Sequence, residues 1–229
     1  MRYLYIIPAR GGSKGIPGKN IKPLAGKPLL CHSVDHALAA GADPADICLT
    51  TDSQQVRRVG EEYGLTVPFL RPAELSTDTA GSREVMLHAL DFYEQLRGKY
   101  DAIVLLQPTS PLRTAEDIIK ARELYSPEID MVVSVTEAAT NPYYNAFETA
   151  PDGTLHISKG DGLYTRRQDA PKVWEYNGAV YVINPDSLRR MPMGSFPRRI
   201  PLPMPRNRSL DLDTPLDWLL MEQLIKEEK

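Results

Sequence analysis

Short apolar runs punctuate the chain at Tyr3–Ile7, Ile47–Thr51, Thr66–Leu70, Ala102–Leu106 and Met131–Val135. Each has the length of a strand and is bounded by polar or glycine-containing segments, the pattern of strands buried on both faces. Between them the period lengthens to that of a helix. Leu30, Val34, Ala37 and Leu38 share one helical face, and so do Met86, Ala89, Leu90, Tyr93 and Leu96. Strands alternating with helices predict an α/β fold, a mostly parallel sheet covered on both faces. The pattern fades from about Asn141 to Pro171, where Tyr, Asn, Gly and charged residues mix without a period. That stretch reads as an inserted arm or as a flexible loop, and the residues leave both open. Strand character resumes at Asn177–Ile183, a proline-rich stretch follows from Met191 to Pro205, and there is no internal repeat.

In sheets of this kind ligands sit outside the carboxyl ends of the strands. Four polar segments fall at that edge: the loop after Tyr3–Ile7, Thr50-Thr51-Asp52, Arg71-Pro72, and Gln107-Pro108-Thr109-Ser110-Pro111-Leu112-Arg113. The first carries the most chemistry. Pro8-Ala9-Arg10-Gly11-Gly12-Ser13-Lys14-Gly15-Ile16-Pro17-Gly18-Lys19-Asn20 sets glycine flexibility beside fixed positive charge, which suits the approach of a polyphosphate. It is no Walker A loop: Gly12 and Gly18 bracket five residues rather than four, and Lys19 is followed by Asn20 instead of a hydroxyl. It is no dinucleotide fingerprint either, because Ser13 stands where the first glycine belongs. The competing reading is a surface turn with solvated lysines, and Lys14 is the residue that reading fits best.

A second segment supplies opposite charge. In an extended Ser209-Leu210-Asp211-Leu212-Asp213, the side chains of Asp211 and Asp213 share a face, with Leu210 and Leu212 behind them. Two carboxylates on one face repel unless a cation lies between them, and a hard divalent cation suits oxygen ligands beside a nucleotide. An exposed acidic strand end is the alternative. Thr214-Pro215-Leu216-Asp217 matches a capping box with proline at the first helical position, so Asp217 reads as structural. Leu210, Leu216, Leu219, Leu220 and Leu224 are expected to pack the helix that follows.

Composition narrows the classes. The 229 residues suit one domain, and a net charge of −3 argues against nucleic-acid binding. No apolar window is long enough for a signal peptide or a membrane span, so a cytoplasmic location in a bacterium-like cell is expected. The two cysteines, Cys31 and Cys48, lie in apolar surroundings and read as reduced core residues. His32 and His36 are spaced i, i+4 but have no acidic partner between them, so no zinc motif forms.

The string Ile-Pro-Ala-Arg-Gly-Gly-Ser-Lys-Gly-Ile-Pro-Gly-Lys-Asn-Ile-Lys-Pro-Leu resembles the signature of the cytidylyltransferases that activate sialic acid and related nine-carbon acidic sugars. The resemblance extends through Leu70–Leu75, Asp78–Ser82 and the acidic pair, and covers nearly the whole chain. It implies a three-layer, mostly parallel Rossmann-like sheet of the nucleotide-diphospho-sugar transferase type. The domain would span 1–229, with a protruding dimerisation arm at about 139–171. The implied reaction is transfer of CMP from CTP to an acidic ulosonic sugar, in a homodimer that binds neither nucleic acid nor membrane. By the same resemblance Ala9, Arg10, Ser13, Lys19, Asn20, Arg71, Ala80 and Ser82 hold the nucleotide. Gln107, Thr109, Ser110, Arg167 and Tyr181 hold the sugar. Asp211 and Asp213 bind magnesium, and Arg10, Lys19, Asp211 and Arg167 are catalytic, Arg167 being contributed across the dimer.

Each assignment has a plainer rival. Ser110 and Thr114 can act as local hydrogen-bonders, Thr114 as a helix cap, and Arg167 can pair with Asp169. The chain also departs from some sialic-acid enzymes, having Tyr144 where those carry a lysine and Glu175-Tyr176 where those carry an arginine. Both departures fall on the sugar side.

Overall fold

The computed structural model describes residues 1–13, 15–77 and 81–227. Its strands are β1 (Tyr3–Pro8), β2 (Pro23–Leu24), β3 (Lys27–Pro28), β4 (Ile47–Thr50), β5 (Ala102–Leu105), β6 (Met131–Glu137), β7 (Phe147–Thr149), β8 (Leu155–Ile157), β9 (Trp174–Ile183) and β10 (Arg199–Pro203). Its α-helices are α1 (Leu29–Ala39), α2 (Gln54–Glu62), α3 (Ser82–Arg97), α4 (Ala115–Leu124), α5 (Pro185–Arg190) and α6 (Pro215–Glu227). The central sheet runs β10-β6-β9-β5-β1-β4. β1 is parallel to β4 and β5, and β10 to β6, while β9 lies antiparallel between β5 and β6.

Alternation along the strands sorts the core into two sides. Tyr5 and Ile7 of β1 and Val104 of β5 pack with Leu30 and Val34 of α1 and Ile118 of α4. Leu4 and Ile6 of β1 and Ile103 of β5 pack with Met86 and Leu90 of α3 and Leu188 of α5. Helices thus cover both faces and give three layers. Each fully buried side chain of this size contributes roughly 1.5–3 kcal/mol. The helix starts are fixed locally. Thr114 and Asp117 form a capping box on α4, an arrangement worth about 1 kcal/mol. Thr214 and Asp217 do the same for α6: Thr214 N donates to Asp217 Oδ2 at 2.7 Å, and Asp217 N to Thr214 Oγ1 at 3.3 Å. Asp217 is therefore a cap, as its spacing predicts.

Some expectations fail for physical reasons. Thr66–Leu70 is not a strand; Pro68 has no N–H to donate, and the tie nearby is one bond from Arg71 N to Thr51 O (2.7 Å). β10 arises inside the proline-rich stretch instead. It is an edge strand, where Pro201 and Pro203 can lack donors without breaking the sheet. Leu38 and Leu96 end up exposed on the last turns of their helices. On α6 the packing residues are Trp218 and Met221, while Leu216, Leu219 and Leu220 face solvent. Leu210 and Leu224 are partly buried beside them.

Trp218 and Met221 belong to a third cluster with Ile16, Leu24, Leu29, Leu112 and Leu212. This cluster joins the basic loop to the end of the chain. Cys31 and Cys48 are buried and unpaired, and burial pushes the Cys31 thiol up to about 11. Between β6 and β9 the β7–β8 hairpin forms an arm whose residues are mostly exposed. Its base is held where Asn141 Nδ2 donates to Pro171 O at 2.9 Å. No described helix is long and apolar enough to cross a membrane.

Candidate active site

A cleft of about 430 Å³ opens at the carboxyl ends of β1 and β5. Arg10, Ser13, Lys19 and Asn20 line it from the first loop, Arg71 from beyond β4, Gln107 and Thr109 from the loop after β5, and Asp211 and Asp213 from the segment before α6. Residues spread over the whole sequence therefore meet at one edge. The segment Thr50-Thr51-Asp52 supports the cleft from behind. Gly11 N donates to Asp52 Oδ1 at 2.9 Å, and Ala9, fully buried, donates its N–H to Thr50 O at 3.0 Å.

The loop is closed by its own side chains. Asn20 is buried and donates Nδ2 to Arg10 O at 2.9 Å, and Gly18 takes φ 62° at the turn before it. A Cβ on Gly15 would lie 2.2 Å from Asp213 O, so only glycine lets loop and acidic segment touch. Lys19 Nζ donates to Leu212 O at 2.7 Å and to Asp213 Oδ1 at 3.1 Å. Leu212 is fully buried, and its N–H donates to Thr109 O at 2.9 Å. Asp211 and Asp213 flank that anchored leucine, and both reach the cleft. The segment carries no strand ladder, so the shared facing comes from the Leu212 anchor.

Burial raises the Asp211 carboxyl above its ordinary range; a hydrogen bond from Thr109 opposes this, and the charge of Asp213 adds to it. Solvent still reaches Asp211 through the cleft mouth. Two hard carboxylate oxygens facing a basic loop are a donor set that fits a magnesium ion shared with phosphate. Arg71 is 6% exposed, and its Nε and Nη2 have no hydrogen-bond partner among the described residues. Its nearest carboxylate, Asp52, is 3.8 Å away. Burial lowers its pKa, so an anion in the cleft would relieve an undersatisfied guanidinium.

A second hollow of about 220 Å³ adjoins the cleft across Arg10, Arg71 and Gln107. Leu75, Val85, Met86 and Leu105 give it an apolar wall, and Thr77 and Ser82 stand at its polar side. Ala80 and Lys14 lie outside the described residues. Tyr181 is partly buried with its ring edge-on to Tyr176 at 6.1 Å. Burial pushes its hydroxyl up to about 12, with the charges of Tyr176 and Asp211 adding, so it stays a donor. Ser110 is fully buried and donates to Asn177 O at 3.3 Å, a local hydrogen bond.

Arg167 is not brought to this cleft by its own chain. It donates to Ala139 O in the arm and lines a separate hollow with Trp174, Met204 and Arg206. Asp169 pairs with Arg166 at 2.7 Å instead. Sequence reasoning placed Arg113 in a cleft segment without singling it out; it is 1% exposed and donates to Ala179 O at 2.7 Å and to Ser33 Oγ, inside the fold. The same reasoning passed over Asn177, a polar residue inside an apolar strand, which is the signal that would have found it. His32 faces Leu24 O, and among the described residues no three His, Cys, Asp or Glu side chains converge on a metal-sized site.

The sequence matches the cytidylyltransferase family profile over residues 4–202. It is 34% identical to the CMP-N,N'-diacetyllegionaminic acid synthase of Legionella pneumophila, over 99% of this chain and 97% of that one. It is 38% identical to the N-acylneuraminate cytidylyltransferase of Streptococcus agalactiae over 96% of this chain, which spans 52% of that longer protein. It is 30% identical to the pseudaminic acid cytidylyltransferase of Campylobacter jejuni, over 99% and 97% of the two chains. The fold matches that of a CMP:2-keto-3-deoxy-manno-octonic acid synthetase solved with CTP, with a TM-score of 0.74 over the full length of both chains at 16% identity. A profile match over most of its length, and relatives this similar across nearly all of it, place the chain in the cytidylyltransferase family.

Proposed function

We propose that the cleft transfers CMP from CTP to the anomeric hydroxyl of an acidic nine-carbon ulosonic sugar of the N-acylneuraminate type. The observation that carries this reading is Lys19, which spans from the basic loop to Leu212 and Asp213 across one cleft. Cations for a triphosphate and carboxylates for its counter-ion thus face each other. The acceptor oxygen bonds to the α-phosphorus, and the bond from that phosphorus to the pyrophosphate oxygen breaks, its electron pair leaving with pyrophosphate. Arg10, Lys19 and Arg71 offset the phosphate charge, while Ser13 and Asn20 shape the loop around it. The adjoining hollow, with Ser82 at its polar side, takes the base. Gln107, Thr109 and Tyr181 orient the acceptor, whose hydroxyl proton passes to water at the open cleft mouth as the new bond forms. Asp211 and Asp213 would hold magnesium, which supplies charge neutralisation at the phosphates when bound.

The arm extends the reading to a homodimer. Its exposed Phe147, Leu155 and Leu163 suit a subunit contact, and Arg167 would reach the neighbouring cleft to bind the sugar carboxylate. Ser110, already bonded to Asn177 O, shapes the acceptor loop rather than touching the sugar. We place the protein in the cytoplasm, where CTP is found.

A second acceptor is favoured by one observation: the legionaminate synthase matches this chain over nearly its full length. Pyrophosphate release from CTP and magnesium, measured across neuraminate, legionaminate, pseudaminate and Kdo, separates the acceptors. Release with none of them would overturn the reading in favour of a non-catalytic nucleotide-binding module.

A further inference from the structure

The antiparallel strand β9 is broken by a bulge. Its pairing register with β6 slips between Val133 and Val135, opposite Asn177-Gly178-Ala179-Val180. Ser134, fully buried, fills the gap: its hydroxyl accepts from Val180 N at 2.7 Å and donates to Asn177 Oδ1 at 2.6 Å. Bulges of this kind re-aim the chain next to functional sites. Here the bulge turns Asn177 toward two separate walls of the cleft. Its carbonyl accepts from Ser110 Oγ at 3.3 Å, at the end of the loop that carries Gln107 and Thr109. Its side-chain Nδ2 donates to Ser209 Oγ at 2.9 Å, two residues before Asp211.

The next residue completes the arrangement. Gly178 has φ 74°, and a Cβ there would lie 2.7 Å from Gln107 Oε1 and 3.3 Å from Ser110 Oγ. The Gln107 carboxamide therefore occupies space that only a glycine at 178 leaves open. The two walls also touch directly, where Leu212 N donates to Thr109 O. Thr109 also hydrogen-bonds the Asp211 carboxyl, so these contacts all fall at the one residue Thr109 and fix the walls there. The bridge through Asn177 is a second, separate point of attachment, from Ser110 to Ser209, and fixes the angle between the walls.

We propose that Asn177 is a positioning residue that sets the separation of Gln107 from Asp211, and so where the acceptor stands relative to the acidic segment. This rests on the transfer reading above for its effect on turnover, and on geometry alone for the coupling itself. Asn177 is 6% exposed, and its replacement risks the fold. Ser209 is partly exposed at the other end of the same bond, and its hydroxyl also donates to Pro205 O at 2.9 Å, which Ser209→Thr keeps as well.

The test compares Ser209→Ala with Ser209→Thr, which keeps the hydroxyl. Ser209→Ala is expected to lower kcat by about tenfold to a hundredfold, the scale of a small misplacement of reacting groups. The KM for CTP is expected to stay within about twofold, and Ser209→Thr to restore kcat. Amide NMR gives a readout that needs no turnover. In Ser209→Ala the Gly178 backbone signal and the Gln107 side-chain signals shift, and in Ser209→Thr they return. Unshifted signals overturn the proposal, as does unchanged kcat or a kcat loss that the threonine fails to rescue. Shifted signals in a protein that turns over no acceptor uphold the coupling and overturn the transfer reading instead.

Discussion

Lys19 and Asp213 form an ion pair of 3.1 Å although 194 positions separate them in sequence. The two sides are unequal: the lysine side chain is 13% exposed and the aspartate 69%. A pair this open on one side adds little stability. Its value is placement, because the second bond, to Leu212 O, holds the ammonium at the junction of loop and acidic segment. Lys19→Met is therefore expected to fold with an unchanged circular dichroism spectrum, since Asp213 stays solvated. Its kcat should fall by about 10²–10³-fold, the usual loss when one charge-stabilising donor is removed. Steady-state pyrophosphate release decides it, and full activity in the variant would remove Lys19 from the phosphate site.

Two glycines of the same loop give a matched comparison. A methyl group on Gly12 meets nothing within 4 Å, whereas on Gly15 it would run into the Asp213 carbonyl at 2.2 Å. That neighbour is backbone and cannot swing aside. Gly15→Ala is expected to part the loop from the acidic segment and weaken CTP binding by at least about tenfold, a difference of about 1.4 kcal/mol. Gly12→Ala should bind CTP as the unaltered protein does. Calorimetric titration with CTP checks both, and equal affinities would contradict the contact.

Much of this is legible in the sequence. The runs at Tyr3–Ile7 and Ala102–Leu106 predicted strands because each is apolar on both faces, and the capping box at Thr214 and Asp217 appeared as spacing alone. What periodicity does not carry is direction and pairing. Nothing in Asn177–Ile183 says that this strand runs against its neighbours or that it bulges. Prolines hid β10, since an edge strand tolerates what an inner one does not. The α6 leucines misled because Trp218 and Met221 set the buried stripe one step away in phase. At the site, Lys19 and Asp211 were visible as charged residues in unusual company. Their meeting depended on Leu212 and the cluster around Ile16, which no local pattern reveals.

Asp211 carries an opposed pair of consequences. Its folded carboxyl is raised above the ordinary 3.8, mainly by burial, so the fold favours the protonated form. The unfolded chain ionises first as pH rises, which makes ionised Asp211 destabilising above its folded pKa and harmless below 3.8. Asp211→Asn is therefore expected to melt at or above the temperature of the unaltered protein near neutral pH without metal. The difference should close as pH falls through the ordinary aspartate range. The same substitution should abolish turnover. Thermal melts at several pH values, paired with activity, check this; a lower melting temperature at neutral pH would contradict the raised carboxyl.

His36 sets a second pH dependence, of the reverse kind. Burial, with the positive charges of Arg113 and His32 adding, lowers its pKa from 6.5 to about 3, while Asp35 works the other way and Lys27 adds slightly to the lowering. Its Nδ1 is buried with no hydrogen-bond partner among the described residues. The fold therefore holds this imidazole neutral, and the unfolded chain takes up a proton first. The sign follows: stability is complete above 6.5 and is lost as pH falls toward about 3. Carboxylates titrate in the lower part of that window, so the comparison must be between variants. His36→Leu keeps an apolar shape without a nitrogen to satisfy, a change that is often neutral or stabilising. Its melting temperature should track that of the unaltered protein at about pH 7 and exceed it increasingly toward about pH 5, where a free imidazole is mostly charged. Parallel melting curves across that range would mean that His36 is charged in the folded protein.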